Sequence, residues 1–233
     1  MASNRSHSPA CACRVSQAPV LIPRATPPIG FSMQERYPTF LIFGAPGSGK
    51  GTQGVTLGCL PRFFHCACGD VFRRLDTRTE LGKTFLTYSS RGDLVPDEIT
   101  IQLWQESIEA AAGSGRFKPD IDYLLLDGIP RNIQQAQLME DIIEVKRVFH
   151  LSCPDRDKVV SRLKKRAIKD NRLDDANESV ILHRLKAYEQ ESKPLLDFYG
   201  QTLITDIDAT QAPVKVLRDI LDIIVQFDVK AIS

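Results

Sequence analysis

The chain has 233 residues and a mass of 26.0 kDa, with 42% hydrophobic and 25% charged side chains, enough apolar material for one sizeable core and too polar for a membrane-embedded protein. Thirty Lys and Arg stand against 29 Asp and Glu, a formal net charge of +1, which argues against nucleic acid or an anionic membrane as an obligatory partner. No apolar run approaches the roughly 20 residues a bilayer span needs, no secretory h-region is expected, and the six cysteines read as thiols of a reducing compartment, so a cytoplasmic protein is expected.

Residues 1–36 contain Pro9, Pro19, Pro23, Pro27 and Pro28 among Ser, Ala and Arg, with no helical or strand periodicity. Arg5, Arg14 and Arg24 face no acid before Glu35, so the rest of the chain is left slightly acidic. This segment is expected to be a disordered tail or, alternatively, an organelle presequence, although five prolines oppose the amphipathic helix of such a signal. Met33, just before the patterned region, offers a simpler origin as an internal start. Cys11/Cys13 and Cys66/Cys68 are spaced C-x-C, not as the repeated C-x-x-C of structural zinc sites.

From Tyr37 short apolar runs alternate with longer helical stretches, the pattern of an α/β protein with a parallel sheet wrapped by helices. Strands are predicted at 39–43, 63–66, 123–126, 148–151 and 202–205. The clearest amphipathic helices are 155–166, burying Val159, Val160 and Leu163, and 176–198, with Ile181, Leu185 and Tyr188 at helical spacing. Pro194 is expected to break or bend the second of these, since an interior proline costs about 3 kcal/mol.

Between the first strand and a helix beginning near Lys50 runs Gly44-Ala45-Pro46-Gly47-Ser48-Gly49-Lys50-Gly51-Thr52. Gly44, Gly47 and Gly49 let the backbone turn with positive φ and present its N–H groups to phosphate oxygens, and the helix N-terminus adds about half a positive charge. Lys50 supplies a mobile ammonium. The general pattern G-x-x-x-x-G-K-[ST] is missed by one place, because Gly51 follows Lys50 and the hydroxyl arrives at Thr52.

With Gln53, this stretch resembles the loop G-x-P-G-x-G-K-G-T-Q of the nucleoside monophosphate kinases, adenylate kinases among them, in which the displaced threonine is the expected form. The resemblance runs from about Phe40 to Phe227. It implies a P-loop kinase fold with a five-stranded parallel sheet, a helical insertion at about 68–112 that binds the monophosphate, and reversible phosphoryl transfer from ATP·Mg²⁺ to AMP giving two ADP. Leu124-Leu125-Leu126-Asp127-Gly128-Ile129-Pro130-Arg131 ends an apolar strand in a carboxylate, placing Asp127 where it can orient Mg²⁺ or its waters. In the resemblance Gly44, Gly47, Ser48, Gly49, Lys50, Gly51 and Thr52 hold ATP, while Cys68, Arg73, Val95, Gly128, Arg131 and Gln135 hold AMP. Arg73 and Arg131 suit phosphate because a guanidinium fork pairs two oxygens and stays charged.

Arg162 and Arg166, four apart on one helix, are expected to point the same way and, with Arg172 and Arg184, to surround the transferring group. The stretch from Arg172 to Arg184 is one residue longer than in some relatives, which leaves His183 as a rival. Only residues 167–171 separate Arg166 from Arg172, the short-lid form at 166–172, and such relatives are commonly monomers. Gln135, donor and acceptor together, favours adenine. Asn132 and Cys68 stand where adenylate kinases often carry Thr. A uridylate-cytidylate kinase and a non-catalytic nucleotide-binding module are the alternatives; neither nucleic acid nor a membrane is expected as partner.

Overall fold

The computed structural model describes residues 36–169, 175, 177–227 and 229; the expectations for the segment before Arg36 and for Arg172 fall outside them. Five strands, β1 (Tyr37–Phe43), β2 (Phe63–Ala67), β3 (Tyr123–Asp127), β4 (Ile143–Ser152) and β5 (Ile204–Asp208), form one parallel sheet in the order β2-β3-β1-β4-β5. From β1 the chain passes to the edge strand β2, returns to β3 beside β1, then crosses to the other side of β1 for β4 and β5. The strand order therefore reverses at β1, and the crevice at the carboxyl end of a sheet at such a point is where ligands bind.

Covered faces explain the apolar runs. Phe40, Leu41 and Ile42 are all at most 2% exposed, as in a parallel sheet sandwiched by helices. One face packs Phe40, Ile42, Leu125, Phe149 and Leu151 against α1 (Lys50–Leu57) and α9 (Pro213–Ile224). The other packs Leu41, Leu124, Leu126 and Val148 against α2 (Cys68–Arg73), α4 (Asp97–Gly113) and α5 (Ile133–Met139). Helix α3 (Glu80–Arg91) completes the insertion between β2 and β3. A smaller cluster of Val159, Leu163, Ile181 and Leu185 joins α6 (Arg156–Lys169) to α7 (Glu178–Ala187) and holds Ala45 of the β1–α1 loop.

Two strands differ from the sequence expectation, and one helix breaks near the proline expected to break or bend it. β4 begins five residues before the predicted 148, because a register shift opposite Thr39/Phe40 resets the alternation and Glu144, Lys146 and Arg147 break the apolar run. β5 runs to Asp208 instead of ending at 205; as an edge strand it carries Asp206 and Asp208 exposed, residues that read as turn. The predicted helix 176–198 is three pieces: α7, a wider turn at Tyr188–Ser192 in which Lys193 N–H donates to Tyr188 O (2.8 Å), and α8 (Leu195–Tyr199). Pro194, lacking an N–H and crowding the preceding turn, accounts for the break.

Candidate active site

The β1–α1 loop is a cradle shaped by close approach. Gly44 has φ +145°, and a Cβ there would lie 2.6 Å from Leu151 O, so only glycine lets β1 turn away beside β4. Gly49, at φ +104°, precedes α1, and no side chain caps the helix; the first N–H groups of α1 are left to the crevice. Ser48 is 3% exposed and its Oγ has no hydrogen-bond partner, which costs about 1–3 kcal/mol unless an anion arrives to accept from it.

Lys50 folds back onto this loop, donating to Gly44 O (2.7 Å) and Ala45 O (3.0 Å). Burial lowers its pKa to about 8; Asp127 opposes the shift, and the charges of Arg131, Arg166 and Arg184 add to it. The charges of those four side chains are therefore close enough to act on the Lys50 ammonium. The Asp127 carboxylate faces the start of α1, where a Cβ on Gly51 would lie 3.6 Å from its Oδ2.

Two of the arginines share one acid. Asp175, fully buried, accepts from Arg166 Nε (2.6 Å) and Arg184 Nη1 (2.5 Å). Their repulsion is thereby offset and both guanidinium groups are held beside the loop. Arg184, at 20% side-chain exposure, is the inward residue; His183 turns out to Asp93 (2.7 Å), in the α3–α4 connection of the insertion. Arg162 does not accompany Arg166 as expected. It donates to Ala209 O (3.0 Å) beyond β5, whereas Arg166 is drawn to Asp175; the two residues start from one helix face and are separated by anchors in different segments.

Beside this group lies a second set. Arg131 Nε donates to Gly128 O (2.9 Å) across a turn with Gly128 at φ +76° and a cis Ile129–Pro130 bond. Arg73 pairs with Asp70 on α2. Cys68, buried among these groups, is a neutral thiol, pushed up to about 11 chiefly by burial, with Arg131, Asp127 and Arg73 acting on it. The Val95 side chain is core, and its carbonyl accepts from Thr100 Oγ1 (3.3 Å). Gln135 is fully buried, and both ends of its amide have protein partners: Oε1 accepts from Arg131 N–H (2.8 Å) and Nε2 donates to Asp97 Oδ1 (2.7 Å). Asn132 caps α5 through Gln135 N–H (2.8 Å) while its Nδ2 donates to both Asp97 oxygens (3.0 and 3.1 Å).

In the sequence Asp175 stands out only as the end of the family-like motif Arg172-Leu173-Asp174-Asp175, with no role attached to it. Asp97 is the residue sequence reasoning missed: it lies 35 residues before Asn132 and no spacing signals the pair. Among the described residues no three His, Cys, Asp or Glu side chains converge to hold a metal, and no helix is long and apolar enough to cross a membrane. The arrangement concentrates one ammonium, backbone N–H groups and three guanidinium groups around a loop, chemistry suited to a polyphosphate.

Comparison with known proteins points the same way. The family model of adenylate kinase matches residues 42–204. The chain is 38% identical over 179 residues to an adenylate kinase of Thermobifida fusca, covering 72% of this chain and 88% of that protein. It is 37% identical over 193 residues to one of a Cyanothece species, covering 80% and 94%. With an adenylate kinase of Streptomyces coelicolor it is 31% identical over 216 positions, covering 78% of this chain and 96% of the relative; that relative therefore carries segments with no counterpart here.

Proposed function

Because the chain belongs to the adenylate kinase family, we propose that it moves a phosphoryl group reversibly between ATP and AMP, giving two ADP, within the crevice above β1. The observation that carries this reading is the glycine cradle with Lys50 folded onto its carbonyls, together with Arg166 and Arg184 held on one buried carboxylate, whose charges act on the Lys50 ammonium.

Phosphoryl transfer through a loose transition state needs alignment and charge neutralisation more than a covalent partner. The triphosphate lies against the backbone N–H groups of residues 44–52, gives the Ser48 hydroxyl its missing acceptor, and draws Lys50 off the Gly44 and Ala45 carbonyls. Arg166 and Arg184, already aligned by Asp175, neutralise charge on the transferring group, and Arg131 reaches it from the acceptor side. The monophosphate takes Arg73 from Asp70 and Arg131 from the Gly128 carbonyl. Arg162 is assigned to the rim of the donor side, by its anchor at Ala209 O. Mg²⁺ arriving with ATP supplies further charge neutralisation. The residues fit an ion carried by phosphates: Asp127 would hold it through water, and no protein cage is needed.

Base choice rests on Gln135, whose amide has one hydrogen and one lone pair beyond the bonds to Asp97 and Arg131; opening of the acceptor insertion must precede any contact, since the amide is fully covered. The short connection between Arg166 and Arg172 supports a short lid at 166–172, with the α2–α4 insertion providing most of the closure. The free thiols of Cys59, Cys66, Cys68 and Cys153 support a reducing, cytoplasmic setting, and we assign a monomer that binds neither nucleic acid nor membrane. Side-by-side turnover with AMP, UMP, CMP and GMP tests the reading: AMP is expected to lead, and preference for UMP or CMP overturns the base assignment. ATP hydrolysis that ignores every monophosphate overturns the transfer itself.

A further inference from the structure

One turn beyond Arg184, the segment after α7 meets a row of side chains that neither the phosphate cradle nor the acceptor network uses. Phe43, His150 and Asp206 are register partners on β1, β4 and β5, so they lie side by side on one face at the carboxyl end of the sheet, with Phe43 immediately before the loop. His150 Nδ1 is 2.6 Å from Asp206 Oδ1, and its Nε2 is 3.2 Å from the Tyr188 hydroxyl. The Phe43 ring packs against both rings, at centroid distances of 6.0 Å to His150 and 5.7 Å to Tyr188. A carboxylate only accepts, so Nδ1 carries the proton given to Asp206. In that tautomer Nε2 is the acceptor for the Tyr188 hydroxyl. Burial, with the charges of Asp206 and Glu189, pushes that hydroxyl up to about 12, so it keeps the proton it donates.

This row sits where the helix is weakest. At Tyr188 the regular ladder gives way to the wider turn whose Lys193 N–H reaches back five residues, and Pro194 follows. Arg184 and Tyr188 are four apart, on one face of the helix and about 6 Å along its axis. Asp175 holds the tip of Arg184, and Leu185 packs α7 on α6; the Tyr188 hydroxyl ties the segment that follows to β4.

We propose that Asp206, His150 and Tyr188 form a positioning relay that pins the end of α7 to the β4–β5 edge and thereby sets the place of the Arg184 guanidinium at the reacting phosphoryl group. The inference rests on the role given to Arg184 above. A displacement of about 1 Å at a reacting centre can cost about 10²-fold in rate, so a smaller shift of the Arg184 root is expected to cost less than that.

The test is a double-mutant cycle on the full chain, with kcat and both KM values measured for Tyr188→Phe, Arg184→Ala and the pair. Tyr188→Phe keeps the ring on Phe43 and removes only the hydroxyl, so the fold is retained. It is expected to lower kcat about tenfold while KM for ATP and AMP moves less than about twofold. In the Arg184→Ala background the same change is expected to have less than about a twofold effect, because the relay then has nothing to position. His150→Leu should match Tyr188→Phe, and His150→Gln, which keeps an acceptor for the hydroxyl, should recover most of the activity. An equal loss with or without Arg184, or no loss in Tyr188→Phe while Arg184→Ala is impaired, overturns the relay alone. Unchanged kcat in Arg184→Ala overturns the reading of Arg184 and the relay with it.

Discussion

The buried ammonium of Lys50 makes nucleotide affinity depend on pH in a calculable way. In the unliganded protein its pKa is lowered to about 8 by burial, and its hydrogen bonds go to two carbonyls. Polyphosphate replaces those carbonyls with anionic oxygens, which favour the charged form and raise the pKa in the complex. Below pH 8 the charge is present before and after binding, so affinity is flat. Above it, binding must first restore the proton: at pH 9 only about a tenth of free molecules are charged, so the Kd for ATP is expected to rise about tenfold over its value at pH 7, about 1.4 kcal/mol. Nearly one proton, about 0.9, is taken up per ATP bound at pH 9. The nucleotide does not obscure this, since phosphate monoesters complete their ionisation near pH 6, roughly three units lower. Calorimetric titration in two buffers of different ionisation enthalpy measures both quantities, with Lys50→Met as the control that abolishes the uptake. An ATP affinity constant from pH 7 to 9.5 with no proton uptake refutes the placement of Lys50 on the phosphates.

Three further perturbations follow from the same geometry. Asp175→Ala leaves two arginines facing each other without their buried carboxylate, which is expected to cost about 3–5 kcal/mol in urea unfolding and to lower kcat at least tenfold. His65 has a pKa lowered chiefly by burial, so the unfolded chain binds its proton more readily. Its contribution is complete above the unfolded value of 6.5 and is lost as pH falls below it; the melting temperature should therefore drop between pH 7 and 5, and His65→Gln should flatten that drop. His183→Ala removes the half-exposed contact with Asp93 that joins the acceptor insertion to α7. An exposed pair of this kind is worth about 0.2–1 kcal/mol, so KM for AMP should rise no more than about fivefold with KM for ATP unchanged.

The parts of this protein legible in its sequence are those whose signals are local. The loop 44–52 shows its glycines, its lysine and its flanking strand within a dozen residues, and Asp127 ends an unbroken apolar run. Both faces of that sheet are covered, so periodicity and burial agree there. Elsewhere the cause is distant. The amide of Gln135 is oriented by Asp97, which sits on a different helix, and nothing in either local sequence records the encounter. Arg162 and Arg166 share a helix face on spacing alone, yet separate because their anchors, Ala209 O and Asp175, belong to later segments. Tyr188 looks like one more core residue at helical spacing. Its hydroxyl finds His150 only because β4 lies beside β1 in the sheet and the helix opens before Pro194. Edge strand β5 hides for a related reason: with one side unpaired, acidic residues are tolerated where an interior strand would exclude them.

The claim on which the account turns is that the phosphoryl group of ATP passes to AMP and not to water. Product stoichiometry tests it: with ATP, AMP and Mg²⁺, phosphorus NMR should show two ADP formed for each ATP consumed, no turnover without AMP, and no inorganic phosphate. Phosphate released at the rate of ATP loss, with AMP indifferent, would contradict it.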